Sequence, residues 1–217
     1  MNEKPSIQRN SILLPEPTLR RLPWYLAYLS TKNSDEQYIS TTKMAGELHV
    51  DPSQIAKDLS FLGIRGKTRI GYEISTLVDT LRNFLGFAKR HNAVIVGVGS
   101  LGAALIADSG LQHYGLNIVA GIDTNPSLIG SDICGVRIFS PDNLPQLVEK
   151  LGIVIGIVTV PVESAQQVAN AISQSGIRAL WNFTPTRIRV PEGVVVTNTS
   201  IYSHLAVMYN RLSSLDL

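Results

Sequence analysis

The sequence is short of the residues on which several kinds of chemistry depend. It holds one cysteine, Cys134, among 217 residues. That excludes an intrachain disulfide framework and a cysteine cluster for zinc, and no metal site is expected. Cys134 itself reads as a small residue in a turn. The longest apolar run, Ile153 to Val160, is far too short to span a bilayer. The N-terminal stretch is polar, contains Pro5, Pro15 and Pro17, and lacks the apolar core of a secretion signal. A cytoplasmic chain with no membrane partner is therefore expected. Histidine and lysine are sparse as well: the histidines are His49, His91, His113 and His204, and after Lys89 only Lys150 remains. Neither residue type falls at the end of a predicted strand, where general acid–base work would need it. The scarcity argues against an enzyme, and no catalytic residue is assigned.

What is present suffices for a packed protein of one or two domains: 44% of residues are hydrophobic and 17% charged. The net charge of +2 is unevenly spread. Residues 1–90 carry 13 Lys/Arg against 9 Asp/Glu, whereas residues 91–217 carry 6 against 8. A basic first part joined to an acidic second part suggests that the first part meets a polyanion.

The stretch that organises the chain is Ala93-Val-Ile-Val-Gly-Val-Gly-Ser-Leu-Gly-Ala-Ala-Leu105. β-Branched residues lead into Gly97, Gly99 and Gly102, and small apolar residues follow at helical spacing. Strand, Gly-x-Gly-x-x-Gly, helix is the dinucleotide fingerprint: a tight turn at Gly97, backbone approach to a pyrophosphate at Gly99, close helix–strand packing at Gly102. The helix N-terminus then directs N–H groups at the phosphates. A second strand, Leu116 to Asp123, ends in an acid 21 residues after Gly102. That is the distance at which a carboxylate accepts a hydrogen bond from a ribose 2′-OH. The expected cofactor contacts are Gly97, Val98, Gly99, Ser100, Leu101, Gly102 and Asp123, with NADH and NAD+ as the ligands.

The N-terminal half reads differently. Residues 1–16 are expected to be a disordered arm. Pro17 and Thr18 open a helix to about Thr31 with Leu19, Leu22, Leu26 and Leu29 on one face, and Pro23 sits awkwardly within it. Ser40 or Thr41 caps a helix through Leu48. Asp51 followed by Pro52 starts another, to about Leu62, that buries Ile55, Leu59 and Leu62. Gln54, Lys57 and Asp58 are expected on its opposite side. Two short helices at this spacing form a helix-turn-helix, although any three-helix bundle has a similar period. Ile64 to Ile74 then places Arg65, Lys67 and Arg69 at a tip between glycines and alternates through Ile70, Tyr72 and Ile74. This is the pattern of a wing that reaches phosphates or the minor groove. The residues expected to meet DNA are Ser53, Gln54, Lys57, Arg65, Lys67, Thr68 and Arg69. Ser75 is expected to cap a linker helix to about Phe87.

Beyond Asp123 the pattern predicts strands at Val136–Phe139, Ile153–Val160, Ile177–Phe183 and Val194–Thr197. Helices are predicted at Pro141–Leu151 and Val162–Ser175. Thr159-Val-Pro161 and Asn182 close their strands, where cofactor contact and ordinary loop capping are equally open readings. The fold class is α/β: a winged-helix DNA-binding domain over 17–88, a doubly wound parallel Rossmann domain over 89–199 and a terminal helix over 200–217. That last helix shows a stripe of Ile201, Leu205, Met208, Leu212 and Leu215, which can cover its own domain or a second subunit.

Taken with Gln54-Ile-Ala-Lys-Asp-Leu-Ser-Phe-Leu-Gly63, Gly71-Tyr72, Gly97 to Gly102, Thr159-Val-Pro161, Asn182-Phe-Thr-Pro185 and Val190-Pro191, the chain resembles the Rex family of redox-sensing transcriptional repressors. The resemblance covers about Leu19 to Leu212. It implies a homodimer, with the terminal helix exchanged between subunits, that binds a palindromic operator in double-stranded DNA when NADH is scarce and releases it when NADH binds. Several slots depart from the family pattern. Ala56 stands where the recognition helix usually has arginine, the wing arginine is displaced to Arg69, and Ser100 replaces an arginine in the glycine turn. Ala27 and Ser200 occupy two slots that in the family can form an inter-domain ion pair. Two other readings of the same sequence are an NAD-dependent oxidoreductase and a CoA- or nucleotide-binding regulatory module that never meets DNA. Binding of an operator with and without NADH separates the three.

Overall fold

The computed structural model describes residues 14–33 and 35–214. The expected N-terminal arm lies almost wholly outside these residues, as does Leu215. Two compact units divide the chain, Met1–Ala88 and Lys89–Leu217.

In the first unit α1 (Glu16–Ser30), β1 (Tyr38–Ile39), α2 (Thr41–Leu48), α3 (Pro52–Ser60), β2 (Tyr72–Glu73) and α4 (Ile74–Phe84) follow in order. Its core is Leu22, Tyr25, Leu26 and Leu29 of α1 packed with Met44, Ile55, Leu59, Leu77 and Leu81. Leu19, expected on that face, is 38% exposed, and Tyr25 takes the inward place. Pro23 lies inside α1, eight residues in, not at its start. An interior proline costs a helix about 3 kcal/mol, and burying Leu22, Tyr25, Leu26 and Leu29 offsets more than that at roughly 1.5–3 kcal/mol each.

Ser40 caps α2 by accepting from the Lys43 N–H, and Asp51 caps α3 by accepting from the Ser53 N–H with Pro52 at the first position. β1 and β2 pair antiparallel, with Ile39 opposite Tyr72. The wing is tighter than its alternation suggests. Lys67 and Gly71 exchange both backbone hydrogen bonds, Arg69 sits at φ 63°, and the strand stops at Glu73 because Ile74 already opens α4. Ser75 therefore lies inside α4 and does not cap it; Glu73 is the N-cap, without a side-chain cap bond.

The second unit is a seven-stranded sheet. β3 (His91–Val96) leads through α5 (Ser100–Ala107) and the short α6 (Gly110–His113) to β4 (Leu116–Ile122). A hairpin of β5 (Asp132–Ile133) and β6 (Val136–Phe139) precedes α7 (Leu144–Leu151), β7 (Ile155–Val158), α8 (Val162–Gln174), β8 (Ala179–Asn182), β9 (Val195–Asn198) and α9 (Ile201–Ser213). The strand order is β5-β6-β4-β3-β7-β8-β9, parallel except for the β5 edge. With β5 set aside this is the 3-2-1-4-5-6 order of a doubly wound sheet, whose order reverses between β3 and β7.

Alternation along β3 divides the core. Val94 and Val96 pack with Leu144 and Leu147 of α7 and Ala165, Ala169 and Ile172 of α8. Ala93 and Ile95 pack toward Ile106 of α5 on the other face. On that second face the far end of the sheet stays open: Trp181 is only part-buried and Val195 is 67% exposed. None of the residues of α9 is buried, and Ile201, Met208 and Leu212 of its stripe are exposed at 51, 47 and 45%.

Candidate functional site

In the second unit the glycine turn stands at the strand-order switch, at the C-terminal ends of β3 and β7. Each glycine has its own physical reason. Gly97 has φ +93°, and a Cβ there would fall 2.7 Å from the Thr159 carbonyl oxygen. At Gly102 a Cβ would come 2.2 Å from the Gly97 carbonyl oxygen, so α5 packs against the turn with no room for a side chain. Gly99 differs: a Cβ would meet nothing within 4 Å. Its neighbourhood is open for something outside the chain, as backbone approach to a pyrophosphate requires. Gly99 is also the N-cap of α5 with no side-chain cap bond, and Ser100 and Leu101 open the helix behind it.

Asp123 follows β4 and is held rigidly. Its Oδ2 accepts from the Val98 N–H at 2.7 Å and its Oδ1 from the Asn125 N–H at 2.8 Å. Each oxygen keeps acceptor capacity for a further donor. The Thr159 hydroxyl ties β7 to the turn, within 3.1 Å of the Val96 carbonyl and 2.7 Å of that of Gly97. Val160 and Pro161 stand between two clefts. One, of about 260 Å³, runs between Gly97, Asp123, Thr124 and Ser164. The other, of about 360 Å³, is lined by Leu101, Thr159, Phe183, Thr184 and Tyr202.

Asn182 is a correction. It is fully buried, and its amide is spent inside the chain. Nδ2 donates to the Thr186 carbonyl and to Asn198 Oδ1, while Oδ1 accepts from the N–H and hydroxyl of Thr184. Asn182 braces the loop after β8 and has no polar group left for a cofactor. Among the described residues no group of three or more His, Cys, Asp or Glu side chains could hold a metal.

In the first unit the wing residues Arg65, Lys67, Thr68 and Arg69 are all exposed, as are Ser53 and Lys57 on α3. Lys67 is not a loose cation. Its Nζ donates to the Tyr38 hydroxyl at 2.7 Å and lies 4.8 Å from that ring's centre, and the hydrogen bond raises its pKa above the usual lysine value. Tyr38 is thus a wing residue that the sequence reading missed. The Ser53 hydroxyl donates to Asp51, so this side chain belongs to the cap of α3.

Asp58, expected on the outer side of α3, is instead completely buried against α1. Its carboxylate accepts from Arg21 Nε at 2.7 Å and Nη2 at 2.8 Å, the Tyr25 hydroxyl at 2.8 Å, the Thr18 hydroxyl at 3.0 Å and Gln54 Nε2 at 2.9 Å. Burial pushes the carboxyl pKa up, but the bonds from Arg21, Tyr25, Gln54 and Thr18 outweigh it and hold it below the ordinary value. Gln54, half-buried, is drawn to the same carboxylate and is not a free polar residue. A signal for this cluster was present in α1: Thr18, Arg21 and Tyr25 recur at i, i+3 and i+7, a polar line along one helix face.

A helix-turn-helix with a basic wing, joined to a doubly wound unit with a glycine-turn nucleotide site, defines the class: a winged-helix regulator with a dinucleotide-type Rossmann fold. Residues 13–60 match the family described as "Putative DNA-binding protein N-terminus", and residues 88–186 match the CoA binding domain family. The chain is 52% identical to the redox-sensing transcriptional repressor Rex of Bacteroides fragilis, over 94% of each chain. It is 40% identical to that of Treponema denticola, over 89% of this chain and 94% of the other. The structure of the Rex-family repressor RSP with β-NAD+ and operator DNA matches with a TM-score of 0.89 at 30% identity over 94% of both chains. The same repressor with β-NADH matches at 0.84, over 94% of this chain and 96% of the other. The chain belongs to the Rex family of redox-sensing transcriptional repressors.

Proposed function

We propose that this protein is a homodimeric repressor that holds a palindromic operator when NADH is scarce and lets go when NADH binds. The observation that carries the reading is the open cradle at Gly99 beside the fixed carboxylate of Asp123. Residues of the turn, Gly97 to Gly102, would hold the pyrophosphate at the N-terminus of α5, and Asp123 would accept from the adenosine ribose. Thr159, Val160 and Pro161 would lie between the two halves of the dinucleotide. The nucleotide acts here as a signal, and no catalytic residue is assigned, in keeping with relatives that are regulators. A cytoplasmic location is part of the same proposal; among the described residues no helix is long and apolar enough to cross a membrane.

Lys67 and Arg69, with Arg65 and Thr68, would meet the phosphate backbone or minor groove, and Gln54 and Lys57 would face base edges. The exposed stripe of α9 and the open end of the sheet at Trp181 and Val195 are two apolar surfaces in one unit that a second copy can cover. The domain assignments follow: 17–88 binds DNA, 89–199 binds NAD(H), and 200–217 joins subunits. Titrating the full-length protein with a pool of operator-length palindromic duplexes, with and without NADH, tests the reading. Retention of a sequence-specific duplex that NADH releases is the expected result. Duplex binding indifferent to NADH, or no specific binding, refutes it.

A further inference from the structure

We infer that Asp58, on the buried face of the recognition helix α3, is a positioning residue that fixes the face of the Gln54 amide and so makes Gln54 select adenine over guanine. The inference rests on the DNA-binding reading above.

A glutamine amide has two edges that a rotation of its last torsion exchanges: one presents the carbonyl oxygen, the other the NH₂ group. A free amide presents both and discriminates poorly. Here the amide is one helical turn from Asp58, and its Nε2 lies 2.9 Å from Asp58 Oδ1. The partner decides the orientation. An ionised carboxylate accepts and never donates, so turning Oε1 toward it would set two acceptors against each other. The carboxylate cannot swing away, because Arg21, Tyr25 and Thr18 donate to it from α1 and it is wholly buried. The four donors from other residues also keep Asp58 in the ionised state that this orientation needs.

Locked this way, Gln54 spends one N–H on Asp58. We assign to Asp58 the N–H trans to the amide carbonyl; Oε1, with no donor to it among the described residues, and the N–H cis to it then remain side by side on one edge. An acceptor beside a donor is the complement of adenine in the major groove, which offers the N6 amine and N7. Guanine offers two acceptors, O6 and N7, and would set O6 against Oε1. Arginine or lysine would favour guanine; a freely rotating glutamine could turn its NH₂ to it. Asp58 forbids that turn.

The test uses the full-length protein and a pool of palindromic duplexes with both half-sites randomised symmetrically, read out by sequencing the retained DNA. The unmodified protein should favour adenine over guanine by about tenfold or more at one symmetric position, and Gln54→Ala should erase that preference there and nowhere else. Asp58→Asn, which replaces one acceptor oxygen by a donor, should bring the adenine-to-guanine ratio at that position to within about twofold while the other positions keep theirs. If Asp58→Asn does not fold, Arg21→Met/Tyr25→Phe/Asp58→Leu removes the charges together and carries the same measurement. An unchanged adenine preference in the Asp58 variant overturns the inference. So does a loss spread evenly over all positions, which a purely structural role would give, and so does a Gln54→Ala profile identical to the unmodified one. In each of these cases specific binding by the unmodified protein leaves the repressor reading standing. Failure of the unmodified protein to select any duplex removes that reading, and the inference with it.

Discussion

Replacing Gly99 by alanine separates the nucleotide site from the fold that carries it. The added methyl would have no atom of the chain within 4 Å, and Gly99 has φ −75°, which any residue adopts. Alanine is a poorer N-cap than glycine by several tenths of a kcal/mol, while the stiffer unfolded chain returns about 0.4–1 kcal/mol. The two nearly cancel, so the melting temperature should stay within about 3 °C of the unmodified value. The neighbouring glycines behave otherwise. At Gly102 the methyl would sit 2.2 Å from the Gly97 carbonyl oxygen. Helix propensity favours alanine there by about 0.8 kcal/mol, but overpacking against backbone costs typically 1–3 kcal/mol, so Gly102→Ala should melt lower. For NADH the order reverses in meaning. A methyl at Gly99 fills the space a pyrophosphate would take, and 1–3 kcal/mol of overlap weakens binding by roughly 5- to 150-fold. Calorimetric titration with NADH and thermal melting of the same preparations measure both quantities. A Gly99→Ala protein that melts normally and binds NADH like the unmodified one would show that the turn does not cradle the cofactor.

Asp123 should exclude a 2′-phosphate, since a like charge within about 4 Å costs on the order of 1–4 kcal/mol; NADPH should bind more weakly than NADH by roughly fivefold or more, and Asp123→Ala should narrow the gap. Equal affinities in the unmodified protein would sink that assignment. Asp58 is held below its unfolded value of 3.8, so the stability it contributes is complete above that value and is lost as the pH falls through it toward the folded value. Hydrogen-exchange protection of α1 and α3, taken relative to intrinsic exchange at each pH, should therefore be steady above about pH 5 and fall steeply below about 4; equal acid sensitivity in Asp58→Asn would show that another group is responsible. Lys67→Ala should weaken binding to all duplexes and lower the salt slope by about one, and a slope unchanged from the unmodified protein would place the wing away from DNA. Truncation before Ser200 should give a monomer that NADH no longer moves off DNA, because Ile201, Met208 and Leu212 are exposed in the single chain and each contributes roughly 1.5–3 kcal/mol to an interface before association costs. A truncated dimer still released by NADH would refute it.

The parts of the site that sequence reveals are those whose cause is local. Gly97 is required by its own φ of +93° and Gly102 by the Gly97 carbonyl one turn before it, and the Asp51-Pro52 start of α3 is a cap written in two adjacent letters. Right-handed crossovers put the connecting helices on the two faces of the sheet, but they do not by themselves place the antiparallel edge strand β5. Pro23 shows the first limit: local chemistry counts a proline inside a helix as a cost of about 3 kcal/mol, and four side chains buried across the domain overrule it.

Asp58 and Asn182 show the second limit, and they fail for the same reason in opposite directions. A charge on an amphipathic helix is assigned outward unless its partner is known, and the partner of Asp58 lies 37 residues away at Arg21. A polar residue closing a parallel strand is assigned to the ligand unless its own loop is known to consume it, and Thr184, Thr186 and Asn198 do so for Asn182. Polar side chains are legible only when every donor and acceptor around them can be counted, and that count is a property of the folded chain. The pattern gives the inverse for α9. Its apolar stripe is plain in the sequence, and folding the single chain leaves it exposed. An apolar stripe that the chain's own tertiary structure does not bury calls for a surface from outside the chain, which the proposed dimer would supply.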